Sequence, residues 1–151
     1  MTYDELLQEA EDIGLIVKEK PLKAYKGRIK GNKIAIKKDM SENEKACVLA
    51  EELGHYYTTV GNILNLSDVK NAKQEYQARL WAYNKQVKLL GIIQAYENRC
   101  KDLYEMAEYL NVTEEFLSEA LKCYRAKYGI SVKIDNYIIY FEPNLYVMKL
   151  L

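Results

Sequence analysis

The stretch from Ser41 to His55 (SENEKACVLAEELGH) constrains this chain more than any other. Ser41, with Glu44 three residues later, reads as a capping box, which starts a helix by giving partners to N–H groups of its first turn. Leu49 and Leu53 stand four apart and direct one stripe of that helix into a core. At about 100° per residue, Glu51 falls about 40° to one side of His55, and Glu52 about 60° to the other. Two carboxylates and the chain's one histidine therefore share a patch. That patch is the candidate site.

The spacing is close to that of H-E-x-x-H metallopeptidases, in which two helix residues four apart hold zinc and the intervening Glu polarises the attacking water. Here the first position is Glu51, so the motif reads E-E-x-x-H. Glu and His are also common on solvated helix faces, and the motif alone does not separate a site from such a face. A zinc site with two helix ligands needs a third from another element. Glu75, in QEYQARLWAY at the start of the next expected helix, can supply it.

With 151 residues and 49% of them apolar, the chain can bury an adequate core without disulfides. We expect a metallopeptidase-like region over 1–98, then a helix-turn-helix-like segment with a C-terminal β-hairpin over 99–151, together forming one compact unit. The 22 basic and 22 acidic side chains cancel, which gives no support for general electrostatic capture of DNA or of an anionic membrane. Cys47, Cys100 and Cys123 are odd in number and lack C-x-x-C spacing, as reduced thiols of a cytoplasmic protein would be. No N-terminal run resembles a signal peptide, and no apolar stretch approaches the length of a membrane span. Fourteen tyrosines against two phenylalanines mean that many buried rings bring a hydroxyl that needs a partner.

In chain order, Thr2 and Glu5 form a second capping box, Leu6, Leu7, Ala10 and Ile13 supply a buried stripe, and Gly14 stops the helix. Residues 15–18 suit a strand. Gly31-Asn32 is a hairpin turn between two strand-like runs, with Ile34 and Ile36 alternating with Lys33, Ala35 and Lys37. A polar stretch containing Gly61 must turn the chain back after His55. The helix from about Asn71 carries Glu75, Ala78, Arg79, Trp81 and Ala82, and runs toward LLGIIQAYENRC with an interruption expected at Gly91. Farther on, Leu103, Met106, Ala107 and Leu110 mark one helix, Asn111-Val112 a tight turn, and Thr113 the cap of a helix burying Phe116, Leu117, Ala120 and Leu121. That is a helix-turn-helix pattern. Its second helix opens with Glu114 and Glu115, and negative charge at the end that should face phosphates argues against DNA binding. Two strands around Asp135-Asn136 and an apolar tail close the chain.

LAEELGHYY, the E-x-x-A of Glu75 to Ala78, the hairpin leading in and the helix-turn-helix-like segment together resemble the ImmA/IrrE family of metallopeptidases. The resemblance covers nearly the whole chain and is nearest to short forms carried by phages and other mobile elements. It implies an α+β fold, in which a zincin-like helical core joins a small antiparallel sheet and a helix-turn-helix-like C-terminal region. It also implies a cytoplasmic endopeptidase whose partner is a helix-turn-helix repressor, relieved by cleavage. By position, Glu52 matches the general base, His55 a helix ligand and Glu75 the downstream carboxylate ligand. Glu51 departs from the usual His.

That departure has chemical consequences. Two carboxylates and one imidazole donate more charge than a His₂Glu set, so the metal becomes a poorer Lewis acid and its water less acidic. An oxygen in place of a nitrogen also hardens the site, opening it to manganese or iron besides zinc. Three readings of position 51 stay open: a ligand, a group supporting a site with fewer protein ligands, or a mark of a metal-free module that binds its partner without proteolysis. Tyr56 and Tyr57 could donate to a tetrahedral oxyanion, and Arg79, one turn beyond Glu75, could brace a carboxylate. Cys47, one turn before Glu51, reads as a small buried filler, and Trp81 as core.

Overall fold

Helix α1 (Tyr3–Asp12) begins with the box expected of Thr2 and Glu5. The Glu5 N–H donates to Thr2 Oγ1 at 3.2 Å, and the Thr2 N–H donates to the Glu5 carboxylate at 2.9 Å. Its buried face is Tyr3, Leu6 and Ala10, while Ile13, expected in that stripe, is the C-cap residue and 37% exposed. Gly14, at φ +85°, turns the chain out of the helix. The computed structural model describes residues 1–59 and 72–151. They form an α+β protein whose packing divides into two compact units, Met1–Lys85 and Gln86–Leu151. No described helix is long and apolar enough to cross a membrane.

In the first unit, β1 (Ile16–Lys20), β2 (Gly27–Lys30) and β3 (Lys33–Lys37) make a sheet in the order β1-β3-β2. β2 and β3 form the expected hairpin, with Gly31 at φ +62° in its turn, and β1 runs parallel to β3. Ile34 and Ile36 are buried, at 2% and 0% exposure. Helix α2 (Glu42–Thr58) packs against α1 and the sheet, burying Ala46, Cys47, Leu49, Ala50 and Leu53. Ser41 caps it by accepting the Glu44 N–H at 3.2 Å, while the Glu44 carboxylate lies 3.6 Å from Lys26 Nζ. Lys45 is buried on the same helix and is paired there, its ammonium 3.0 Å from Glu19. Tyr3 donates its hydroxyl to the other Glu19 oxygen at 2.9 Å. The Lys45 hydrogen bond holds the Glu19 carboxyl below its usual range, and burial, then Glu19, pushes the Tyr3 phenol above its own. Helix α3 (Ala72–Gln86) completes this unit up to Lys85. The turn expected around Gly61 lies outside the described residues.

The second unit holds α4 (Leu89–Glu97), α5 (Leu103–Leu110) and α6 (Glu114–Tyr128), with an antiparallel sheet of β4 (Ser131–Ile134), β5 (Tyr137–Tyr140) and β6 (Tyr146–Lys149). The helix interruption comes at Lys88, before Gly91. Gly91 stays helical and meets Leu110, where an added Cβ would lie 3.1 Å from the leucine Cδ2. Helices α5 and α6 form the helix-turn-helix pair, with Asn111 in the left-handed region at φ 61° and Thr113 accepting the Phe116 N–H at 3.1 Å. Phe116, Leu117 and Ala120 are buried. Leu103 is 39% exposed and Leu121 half-buried, because both line an open cavity of about 550 Å³ with Met106, Phe141 and Val147. The apolar tail adds β6 to the expected hairpin, burying Val147 against the sheet's interior.

Lys88 starts α4 with φ 62° and ψ 151°, a region that strongly favours glycine, and its side chain makes no capping hydrogen bond. Lys88→Gly should therefore raise stability by about 1 kcal/mol despite the added chain entropy of glycine, read as a higher urea midpoint at unchanged slope.

Candidate metal centre

Glu51, Glu52 and His55 occupy the last two turns of α2. The helix ends just beyond them because the Thr58 and Thr59 hydroxyls donate to the Gly54 and His55 carbonyls, and the Thr59 N–H also reaches the His55 carbonyl. Glu52 and His55 are buried, at 6% and 5% exposure; Glu51 is half-buried. Glu75 lies in the first turn of α3, where a carboxylate is favoured by the positive end of the helix dipole. His55 Nε2 stands 3.4 Å from Glu75 Oε2. The structure thus brings together a helix residue and the downstream carboxylate, 20 positions apart in the sequence.

That meeting depends on a residue with no functional group. Gly54 is buried, and a Cβ built on it would collide with the carbonyl oxygen of Ala78 and crowd that residue's backbone. Ala78 is itself 0% exposed. Helices α2 and α3 therefore touch backbone to backbone at Gly54 and Ala78. His55 is the neighbour of one, and Glu75 lies one turn before the other, so this contact sets their separation.

A second glycine borders Glu52. Gly27, the first residue of β2, leaves space in which a Cβ would lie 3.2 Å from both Cγ and Oε1 of Glu52 and would strike Val48. Among the described strands β2 pairs with β3 alone, and its first residue lies against the Glu52 carboxylate.

A metal ion can be tested against these donors. Two ligands on a tetrahedral zinc with bonds of about 2.0–2.1 Å lie about 3.4 Å apart. His55 Nε2 and Glu75 Oε2 have that separation and fit two corners of such a site. The same distance suits an ion pair when the imidazole is protonated. Among the described residues, no three His, Cys, Asp or Glu side chains are grouped to hold one ion, so Glu51 does not stand with the other two. The cavity beside α6 is lined by none of Glu51, Glu52, His55 and Glu75.

The flanking aromatic and basic residues are placed as follows. Tyr57 is 40% exposed and stacks on Trp81 at 5.0 Å between centroids, and Tyr56 meets Tyr57 edge-on at 5.2 Å. Burial, with the Glu9 carboxylate next, pushes the Tyr57 phenol above its usual range. Arg79 is exposed on α3. Sequence reasoning missed Gly54 and Gly27. A glycine inside a helix costs about 1 kcal/mol relative to alanine and so points to a close approach, a signal that was present at Gly54.

The family model for the IrrE N-terminal-like domain, peptidase M78, matches residues 10–122. No curated protein and no solved structure gives a match.

Gly54→Ala should force α3 away from α2. We expect a loss of about 1–3 kcal/mol, typical of overpacking a close contact, together with weaker binding of any divalent ion. Ala78→Gly, which adds no atoms, should leave the ion affinity within severalfold. Parallel denaturation and metal titration of the two variants check this.

Proposed function

Because the chain belongs to the IrrE N-terminal-like, peptidase M78 family, we propose that it is a metal-dependent endopeptidase that cuts a helix-turn-helix repressor of a phage or other mobile element, acting in the cytoplasm as an antirepressor. The family is one of metallopeptidases, which use a divalent metal and act on protein substrates. The observation that carries the reading is the 3.4 Å approach of His55 Nε2 and Glu75 Oε2 beside the buried Glu52.

In this reading His55 and Glu75 hold the ion, and Glu51 supplies the third protein ligand by a change of side-chain rotamer. Zinc is the expected metal, with manganese or iron admitted by the extra carboxylate. When bound, the ion polarises the scissile carbonyl and lowers the pKa of attacking water. Glu52 takes the proton from that water and returns it to the leaving amine. Its burial beside Gly27 favours this role by keeping bulk water from the carboxylate. The substrate segment adds as a strand along the edge of β2 away from β3, which brings its backbone past Glu52. With Tyr57 engaged on Trp81, Tyr56 is our choice of donor to the tetrahedral oxyanion, and Arg79 is available to brace a carboxylate from the exposed side of α3.

One observation favours a second reading. No three-donor group stands assembled among the described residues, as would suit a silent antirepressor that grips its partner without cutting it. Metal content separates the two. The peptidase reading expects about one divalent ion per chain, and His55→Ala should lose most of it. Affinity should fall as pH drops through the imidazole and carboxylate ranges, because protonated ligands do not bind. Unchanged metal binding in His55→Ala would sink the reading.

Catalysis is tested apart from binding. Glu52→Gln keeps the shape of the side chain and removes the proton acceptor, so repressor cleavage on co-expression should fall by about 10²–10⁴, while metal and partner stay bound. Glu51→His, which restores the usual ligand, should keep or raise cleavage. If wild type leaves the repressor intact and relieves repression no better than Glu52→Gln, the silent antirepressor takes the place of the enzyme.

A further inference from the structure

The first sheet has a face that the candidate site does not use. Ile34 and Ile36 point inward, so the alternation of the strands puts Lys33, Ala35 and Lys37 of β3 outward. The register then places Ile16, Lys18 and Lys20 of β1 and Arg28 and Lys30 of β2 on that same outward face. Six of these eight positions are cationic and none is acidic. Glu19, the one acid within the strands, points inward to Lys45 and Tyr3. Lys30 sits directly opposite Lys33, and Lys20 opposite Lys37. Like charges paired across strands weaken a sheet, so this arrangement costs stability unless an anion lies over it. The face is also hollow: a concavity of about 470 Å³ is lined by Ile16, Lys18, Lys20, Tyr25, Arg28 and Lys30 among others. The chain's zero net charge conceals this face, because the balancing acids lie elsewhere, as at Glu114 and Glu115 of α6.

We propose that this face binds the phosphate backbone of a nucleic acid without sequence preference. Five of the six cations are lysines, compact point charges that suit phosphate oxygens. Recognition of carboxylates on a protein favours the arginine fork, and the face has one arginine. The cations form a grid about 4.8 Å across the strands and about 6.7 Å along them, which can follow a regularly charged chain in more than one register. Ile16 and Tyr25 are 43% and 41% exposed, and the Tyr25 ring, with the Arg28 guanidinium 5.7 Å from its centroid, offers a surface on which a base can stack. The helix-turn-helix pair takes no part, and its acidic first turn is consistent with that.

The test is fluorescence anisotropy of the full chain with labelled mixed-sequence DNA, duplex and single-stranded, across a salt series. Contact with about three duplex phosphates gives a log–log slope near −2.7, or about 40-fold weaker binding between 50 and 200 mM salt. The triple variant Lys18→Gln/Lys30→Gln/Lys33→Gln, all exposed positions, should bind at least tenfold more weakly with a flatter slope. Lys122→Gln/Lys127→Gln in the second unit should bind as wild type does. Glu52→Gln should also bind normally, which keeps this inference separate from the peptidase reading. Salt-insensitive or absent binding, or equal loss in the two lysine variants, overturns the proposal. So does polyglutamate that competes as well as DNA of equal charge, which would assign the face to an acidic protein instead.

Discussion

The backbone contact of Gly54 with Ala78 is the constraint on which the first unit's chemistry depends. A helix pair separated by ordinary side chains keeps its axes about 8–10 Å apart. At Gly54 and Ala78 no long side chain stands between the backbones, and there the imidazole of α2 and the carboxylate of α3 reach each other directly. The donors thus inherit their geometry from two residues that donate nothing. Gly27 repeats the device on the strand side, where the lack of a side chain leaves space against Glu52. Close approach by small residues frames the site from both directions.

Charge is sorted with similar economy across the first sheet. One face meets α1 and α2, and there the buried Lys45 is neutralised by Glu19, which in turn accepts from Tyr3. A buried ammonium without that carboxylate would be strongly destabilising. The opposite face carries its cations in solvent, where the high dielectric weakens their mutual repulsion. The same three strands therefore present a satisfied polar cluster on one side and a concentrated positive potential on the other.

Much of this was legible in the sequence because the signals were local. The caps at Thr2, Ser41 and Thr113, the Gly31 turn and the left-handed Asn111 each act within a few residues of chain. Leu49 and Leu53 are core, as their spacing implied, and Cys47 is buried. The departures have tertiary causes. Glu44 does not complete its box and stands near Lys26 of the preceding hairpin region. Leu103 has the spacing of a core residue but borders a cavity that no periodicity encodes. Gly91 looked like a helix breaker, yet it is retained for contact with Leu110, and the break falls instead on Lys88. At the site, the spacing of Glu52 and His55 was readable from helix geometry alone. The approach of Glu75 required knowing how two helices pack, and the segregation of lysines required the sheet register.

The stacking of Tyr57 on Trp81 has an optical consequence. Trp81 is the chain's one tryptophan, and its ring lies on α3 against a phenol two residues beyond His55 on α2. Lys85 adds an ammonium 5.9 Å from the indole centroid. The emission of the whole protein on indole excitation therefore reports from one place, the seam between the two helices that carry the donors. Any ligand or substitution that slides these helices by a fraction of an ångström alters the stacking and the local field on that ring. The molecule carries its own label for the state of its site.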